Sequence, residues 1–134
     1  MSNANQSVVQ RAYECFEKGD VDGVLDMLTD DVSWVVVGPT DVFPVFGVRR
    51  GRDGAAEYFR LLAENLDLRN FAPGRYVSEG DTVVVLGHSD GVVRHTGRPL
   101  ATDWAHVFTL RDGKICGYQE FVDSAQVIER QLAA

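Results

Sequence analysis

Glu120, the pair His88 and Asp90, and Asp103 are the residues whose types could move protons. His88 and Asp90 lie two positions apart, and in an extended strand such residues share one face. A histidine titrates near neutrality, and a carboxylate withdrawn from water has its pKa raised, so the set suits general acid–base chemistry. Each also has a plainer reading. Glu120 could be half of a salt bridge with Arg49, Arg50, Arg52, Arg94 or Arg98, His88 a packed strand histidine, Asp90 a solvated mouth residue, and Asp103 a cap or turn partner. His88, Asp90 and Glu120 could in principle share a metal, but such sites normally carry more histidines, and no metal is assigned. Cys15 and Cys116 lack the close cysteine or histidine spacing of a zinc site, and neither has a histidine placed to activate a thiol.

These residues must be positioned by elements that the hydrophobic spacing outlines. Val8, Val9, Ala12, Tyr13 and Phe16 recur at helical spacing up to Gly19, and Asp20 is placed to cap a second short helix carrying Val21, Val24, Leu25 and Leu28. Residues 32–37, rich in β-branched and aromatic types and stopped by Gly38-Pro39, predict a strand. A loop over 38–52 holds Phe43, Pro44, Val45 and Phe46, an apolar stretch suited to folding over something. A third helix starting at Asp53 would bury Ala55, Phe59, Leu62, Ala63 and Leu66. From Leu68 the period changes, predicting strands at about 68–78, 82–94, 99–111 and 114–122, with Asp112-Gly113 as a hairpin turn, before a last helix over Ser124–Leu132 capped by Asp123 or Ser124. Helices first and a mostly antiparallel sheet afterwards is an α+β arrangement. Alternation puts Val84, Leu86, His88 and Asp90 on one face, Asp103, Ala105 and Val107 on another, and Tyr118, Glu120 and Val122 on a third, without saying which set faces the helices.

The chain has 134 residues, of which 45% are hydrophobic and 25% charged, the usage of one ordinary globular domain over 1–134. Its net charge of −7 argues against nucleic acid and anionic membrane surfaces, and Arg49, Arg50 and Arg52 make too short a basic patch to reverse that. The beginning of the sequence lacks a basic start followed by an apolar stretch, and no apolar run approaches the roughly 18 residues of a membrane span. With two cysteines outside any disulfide framework, a cytoplasmic protein is expected.

Val8-Val-Gln-Arg-Ala-Tyr-Glu-Cys-Phe-Glu-Lys-Gly-Asp-Val-Asp-Gly-Val-Leu-Asp-Met-Leu-Thr-Asp-Asp-Val-Ser-Trp34, Arg50-Gly-Arg-Asp-Gly54 and Arg111-Asp-Gly-Lys-Ile115 leading to Glu120-Phe-Val-Asp123 resemble the nuclear transport factor 2-like superfamily. Within it the likeness is to the SnoaL-like polyketide cyclase and ketosteroid isomerase-related group, and it covers nearly the whole chain. The resemblance implies a cone-shaped α+β barrel: a curved sheet closed by helices around one deep apolar pocket, with no cofactor and with a homodimer formed through the outer face of the sheet. Laid on such a cone, Trp34, Val36, Leu86, His88, Asp90, Asp103, Ala105, Val107, Tyr118, Glu120 and Val122 point inward. Trp104, His106 and Phe108 become outer-face and dimer residues.

The resemblance departs from the true ketosteroid isomerases. Their aspartate base falls on Val36, their oxyanion tyrosine on Ala12 with Tyr13 one place out of step, and their protonated acid on Ala105, so steroid isomerisation is not carried over. Two functions follow as expectations. In the first, Glu120 is base or acid and His88 with Asp90 or Asp103 is the partner proton carrier, in an isomerase, cyclase, dehydratase or epoxide-hydrolase type of reaction. A small hydrophobic ligand would be held by Trp34, Val36, Phe43, Phe46, Phe59, Leu86, Ala105, Val107, Tyr118 and Val122. In the second, the same cone is a non-catalytic ligand-binding or dimerisation module.

Overall fold

A computed structural model describes residues 4–132. Helix α1 (Ala4–Glu17) and the short α2 (Val21–Asp26) lead into strand β1 (Leu28–Val36). Then come β2 (Gly47–Arg50), α3 (Gly51–Asn65), β3 (Leu66–Glu79), β4 (Thr82–Val93), β5 (Pro99–Arg111), β6 (Lys114–Val122) and α4 (Ser124–Gln131). The six strands form one curled sheet in the order β2-β1-β6-β5-β4-β3, left open because β2 and β3 are edges. All neighbours are antiparallel except β1 and β6.

Local chemistry accounts for most boundaries. The Asp20 side chain accepts a hydrogen bond from Gly23 N and caps α2, and Asp123 does the same for α4 through Gln126 N. The β5–β6 turn places Asp112 and Gly113 at φ 52° and 79°, the left-handed pair that a tight hairpin needs. Four boundaries differ from the sequence reading. Leu28 opens β1 instead of closing α2, Leu66 opens β3 instead of ending α3, and α3 begins at Gly51, leaving Asp53 in its first turn rather than at its cap. Residues 47–50 of the expected loop pair with β1 as an edge strand, Gly47 opposite Val36 and Arg50 opposite Ser33. Ala63, expected in the core, is exposed on α3, where Tyr58 is buried beside Ala55 and Phe59.

The alternation on β4 and β5 has the opposite sense from the expected one. Leu100, Thr102, Trp104, His106, Phe108 and Leu110 are buried along β5, and Val83, Val85, Ser89 and Val93 along β4. Trp104, His106 and Phe108 therefore face the helices, not a partner. His88, Asp90, Asp103, Leu86, Ala105 and Val107, expected inside, are all on the outer face. The physical reason is that the two faces of β5 differ in transfer cost. One carries the aromatic and aliphatic side chains, while the other carries Asp103 and Arg111, which cannot be buried cheaply without partners. Gly87 assists by lying opposite Trp104, where a Cβ would come 2.4 Å from the indole ring.

Candidate functional site

Three strands and two helices converge on Glu120. Its neighbour across β5 is His106 and its neighbour across β1 is Val36, while Tyr118 lies opposite both Phe108 and Trp34, so these side chains share one inner surface. Tyr58 reaches the same point from α3, where it sits on the face of Ala55, Phe59 and Leu62 at helical spacing. Tyr13 comes from the buried face of α1.

The Glu120 side chain is only 13% exposed. Its Oε1 accepts hydrogen bonds from Tyr58 Oη at 2.8 Å and Tyr118 Oη at 2.5 Å, and His106 Nε2 lies 3.7 Å from the same oxygen. Tyr13 Oη is 2.8 Å from His106 Nδ1 on the far side of the ring. The imidazole is stacked on Trp104 with ring centroids 3.8 Å apart, and Phe71 stacks on that indole too, at 5.2 Å. Trp34 stacks on Tyr118 at 4.0 Å, and its own Nε1 is buried with no hydrogen-bond partner among the described residues.

Burial raises the Glu120 carboxyl above its ordinary value, and the hydrogen bonds from Tyr118 and Tyr58 act in the opposite direction. Burial also lowers His106 to about 3, so the ring is neutral at physiological pH. Tyr58 and Tyr118 are raised well above the usual phenol range by burial and by the charge of Glu120, and Tyr13 is raised chiefly by burial. All three phenols remain donors. With Tyr13 giving its proton to Nδ1, the imidazole carries its own on Nε2, facing Glu120. Glu120 is thus the carboxyl of the cluster, and burial raises it. All of these contacts fall on Oε1, and among the described residues nothing hydrogen-bonds Oε2.

Two cavities flank this cluster, with Tyr58 and His106 in the wall of both. The first, about 50 Å³, is lined largely by aromatic residues including Tyr13, Phe16, Trp34, Phe59, Phe71 and Tyr118. The second, about 80 Å³, contains Glu120 and is lined also by Val36, Ser89, Thr102, Trp104 and Val122, with Phe43, Val45 and Phe46 from the apolar loop. Of the expected ligand-binding set, Trp34, Phe59 and Tyr118 line the first cavity, and Val36, Phe43, Phe46 and Val122 the second. Leu86, Ala105 and Val107 line neither.

His88 forms its own cluster on the outer face, bonded to Asp103 at 2.9 Å and Asp90 at 3.1 Å, with Asn70 holding the second Asp90 oxygen. Those hydrogen bonds raise His88 and lower Asp90, but both side chains are over 40% exposed and lie on the opposite side of the sheet from Glu120. His106, Tyr13 and Tyr58 are the site residues that the sequence reading missed. The aromatic density around His106 on one face of its strand was the signal available for it. Among the described residues no cluster of metal-binding side chains is found, and no helix is long and apolar enough to cross a membrane.

The same fold and the same residues invite comparison with known proteins. The chain is 32% identical over 81 residues to an uncharacterised PhzA/B-like protein of Pseudomonas aeruginosa, a match spanning 59% of this chain and 57% of that one. Among solved structures, an NTF2-like protein of unknown function from Burkholderia pseudomallei superposes with a TM-score of 0.89 at 28% identity, covering 99% of this chain and 100% of that one. TerC, co-crystallised with polyporic acid, superposes with a TM-score of 0.85 at 27% identity, covering 96% and 98%. Residues 9–118 match the SnoaL-like domain, and with helices wrapped on an open curled sheet around a buried carboxylate, the chain belongs to the SnoaL-like family of NTF2-like proteins.

Proposed function

We propose that this protein binds a small neutral organic molecule in the cavity beside Glu120 and that Glu120 moves a proton to or from it. The observation that carries this reading is the asymmetry of the carboxyl group: Oε1 is held by two tyrosines, while Oε2 has no partner among the described residues, in a group that lines a cavity. A carboxylate fixed in direction, partly desolvated and open on one oxygen is arranged as a general base. The crystallisation of TerC with polyporic acid supports an organic ligand for a protein of this shape. The cavity of about 80 Å³ is smaller than the roughly 150 Å³ that accommodates a benzene ring. We propose that a ring is admitted by outward movement of the loop bearing Phe43 and Phe46, which lines its wall. We place the protein in the cytoplasm, which suits its free Cys15 and Cys116, and propose that it pairs with a second copy through the outer face of the sheet.

The test uses a reaction that needs only the base. In D2O, the Glu120 carboxylate takes a proton from the carbon next to a ketone, leaving an enolate, and a deuteron returns to that carbon. With cyclohexanone and bicyclohexyl-4,4′-dione as probes, proton NMR should show exchange accelerated by the wild type. Glu120→Gln should lower it by about 10²–10⁴-fold while the circular dichroism spectrum stays unchanged. Exchange at the uncatalysed rate, or undiminished exchange in the variant, overturns the assignment.

A further inference from the structure

Ser89 lies on the inner face of β4, 8% exposed, and lines the same cavity as Glu120. Its Oγ accepts the Trp104 indole N–H at 2.7 Å, and that indole is itself stacked on His106 and on Phe71. An oxygen fixed as acceptor has its hydrogen left to donate, and among the described residues no acceptor for it is present. Other polar groups in this wall are engaged. Thr102 Oγ1 donates to Asp103 O and accepts from Asp123 N, and the Tyr58 hydroxyl donates to Glu120. A buried donor without an acceptor is a costly arrangement that a ligand oxygen would relieve.

The place of Ser89 in the sheet fixes where that oxygen must be. Ser89 pairs with Thr102, and Glu120 pairs with His106 four residues further along β5, which separates the two rows by about 13 Å of strand. The acceptor thus belongs to the end of the ligand remote from the carbon presented to Glu120. Its charge follows from the lining. Neither Lys nor Arg is among the residues that line the cavity, and the chain carries a net charge of −7, so a carboxylate or phosphate would find no counter-ion. We infer that Ser89 is a specificity residue that donates a hydrogen bond to a neutral carbonyl or ether oxygen at the distal end of the substrate. This rests on the reading of Glu120 as the base, and it narrows the substrate class to molecules with oxygen functions at two separated positions.

The two ketone probes distinguish this proposal from that reading. Bicyclohexyl-4,4′-dione has a second carbonyl one whole ring beyond the ring whose carbon exchanges, at the far end of the molecule, and cyclohexanone does not. Ser89→Ala should lower kcat/KM for exchange of the dione about tenfold more than for cyclohexanone, mainly through KM. Equal losses for both probes, or no loss for the dione, overturn the role of Ser89 while leaving Glu120 as base. Exchange of neither probe by the wild type overturns both. Because Ser89→Ala also deprives Trp104 of its acceptor, a measurement on the unaltered chain stands beside it. The dione should move the Trp104 indole N–H resonance downfield, as Ser89 becomes donor and acceptor at once, with the Trp34 resonance as internal reference. The same displacement with cyclohexanone, or none with the dione, rejects the proposal.

Discussion

Glu120 and His106 sit 3.7 Å apart and respond to burial in opposite directions, which gives each a distinct signature in the pH dependence of stability. Glu120 holds its proton more tightly in the folded chain than in the unfolded one. Its contribution is therefore greatest when protonated and falls as pH rises from about 4.5 through its raised folded value. Glu120→Gln keeps an oxygen for both tyrosines and has no charge to bury, so its Tm at pH 7 should exceed that of the wild type by a few degrees, with the gap closing below pH 4.5. His106 runs the other way. It is neutral in the fold down to about 3 but titrates near 6.5 when unfolded, so stability is fully present above 6.5 and is lost as pH falls toward 3. His106→Gln, which retains an acceptor for Tyr13, should flatten that acid limb in urea titrations between pH 3 and 6.5. Unchanged slopes in both variants would show that neither group is buried as described. Alternation joined Glu120 to Tyr118 without choosing a side, and the resemblance to the cone-shaped family turned both inward. The same resemblance turned His88 and Asp103 inward and His106 outward, where desolvation of the carboxylate and exposure of the aromatic row argue the reverse.

At the scale of elements, the loop between β1 and β2 covers the cavity through Phe43, Val45 and Phe46, and one side chain holds it there. Arg49, 9% exposed, donates to Val45 O at 2.9 Å and Pro44 O at 2.6 Å and pairs with Glu57 of α3 at 3.2 Å. The loop packs onto its own start as well, since a Cβ on Gly38 would come 2.6 Å from the Phe46 ring. Arg49→Ala should cost about 2–3 kcal/mol and make the 37–46 segment the first site of limited proteolysis. Arg49→Lys should rescue little, because one ammonium cannot reproduce the guanidinium fork across several carbonyls and a carboxylate. Equal protease resistance in all three proteins would reject the latch. The apolar character of this loop was readable as a cover. The edge strand β2 was not, because four residues ending in two arginines give no alternation that separates a strand from a loop. Strand positions in the second half followed from period and turn chemistry, whereas their inward face depended on weighing which alternate set was the more apolar. The 3.6-residue spacing placed α1 and α3, and it also carried Tyr58 beside Ala55 and Phe59, where the sequence reading passed it over.

For the whole molecule, the face that does not enclose the site presents the remaining apolar surface. Leu86, Ala105 and Phe121 align across β4, β5 and β6, and Val77, Val84 and Val107 form the adjoining row across β3, β4 and β5. Leu86 is 44%, Phe121 42% and Val77 45% exposed, a contiguous patch that a monomer would leave in water. Arg75 flanks the Leu86 row on β3, and Asp103 and Asp90 lie around His88 in the rows beyond it. The proposed second copy of the chain would cover these apolar rows through a twofold interface. Sedimentation velocity should give twice the 14.8 kDa chain mass, and Leu86→Arg combined with Phe121→Arg should return the chain mass itself. Because these side chains lie across the sheet from Glu120, the double variant should keep its ketone exchange within about twofold of the wild type. A wild type that sediments at chain mass, or a double variant that remains paired, rejects this interface. Loss of exchange together with loss of pairing would instead mean that the curvature of the sheet, and with it the direction of Glu120, depends on the partner.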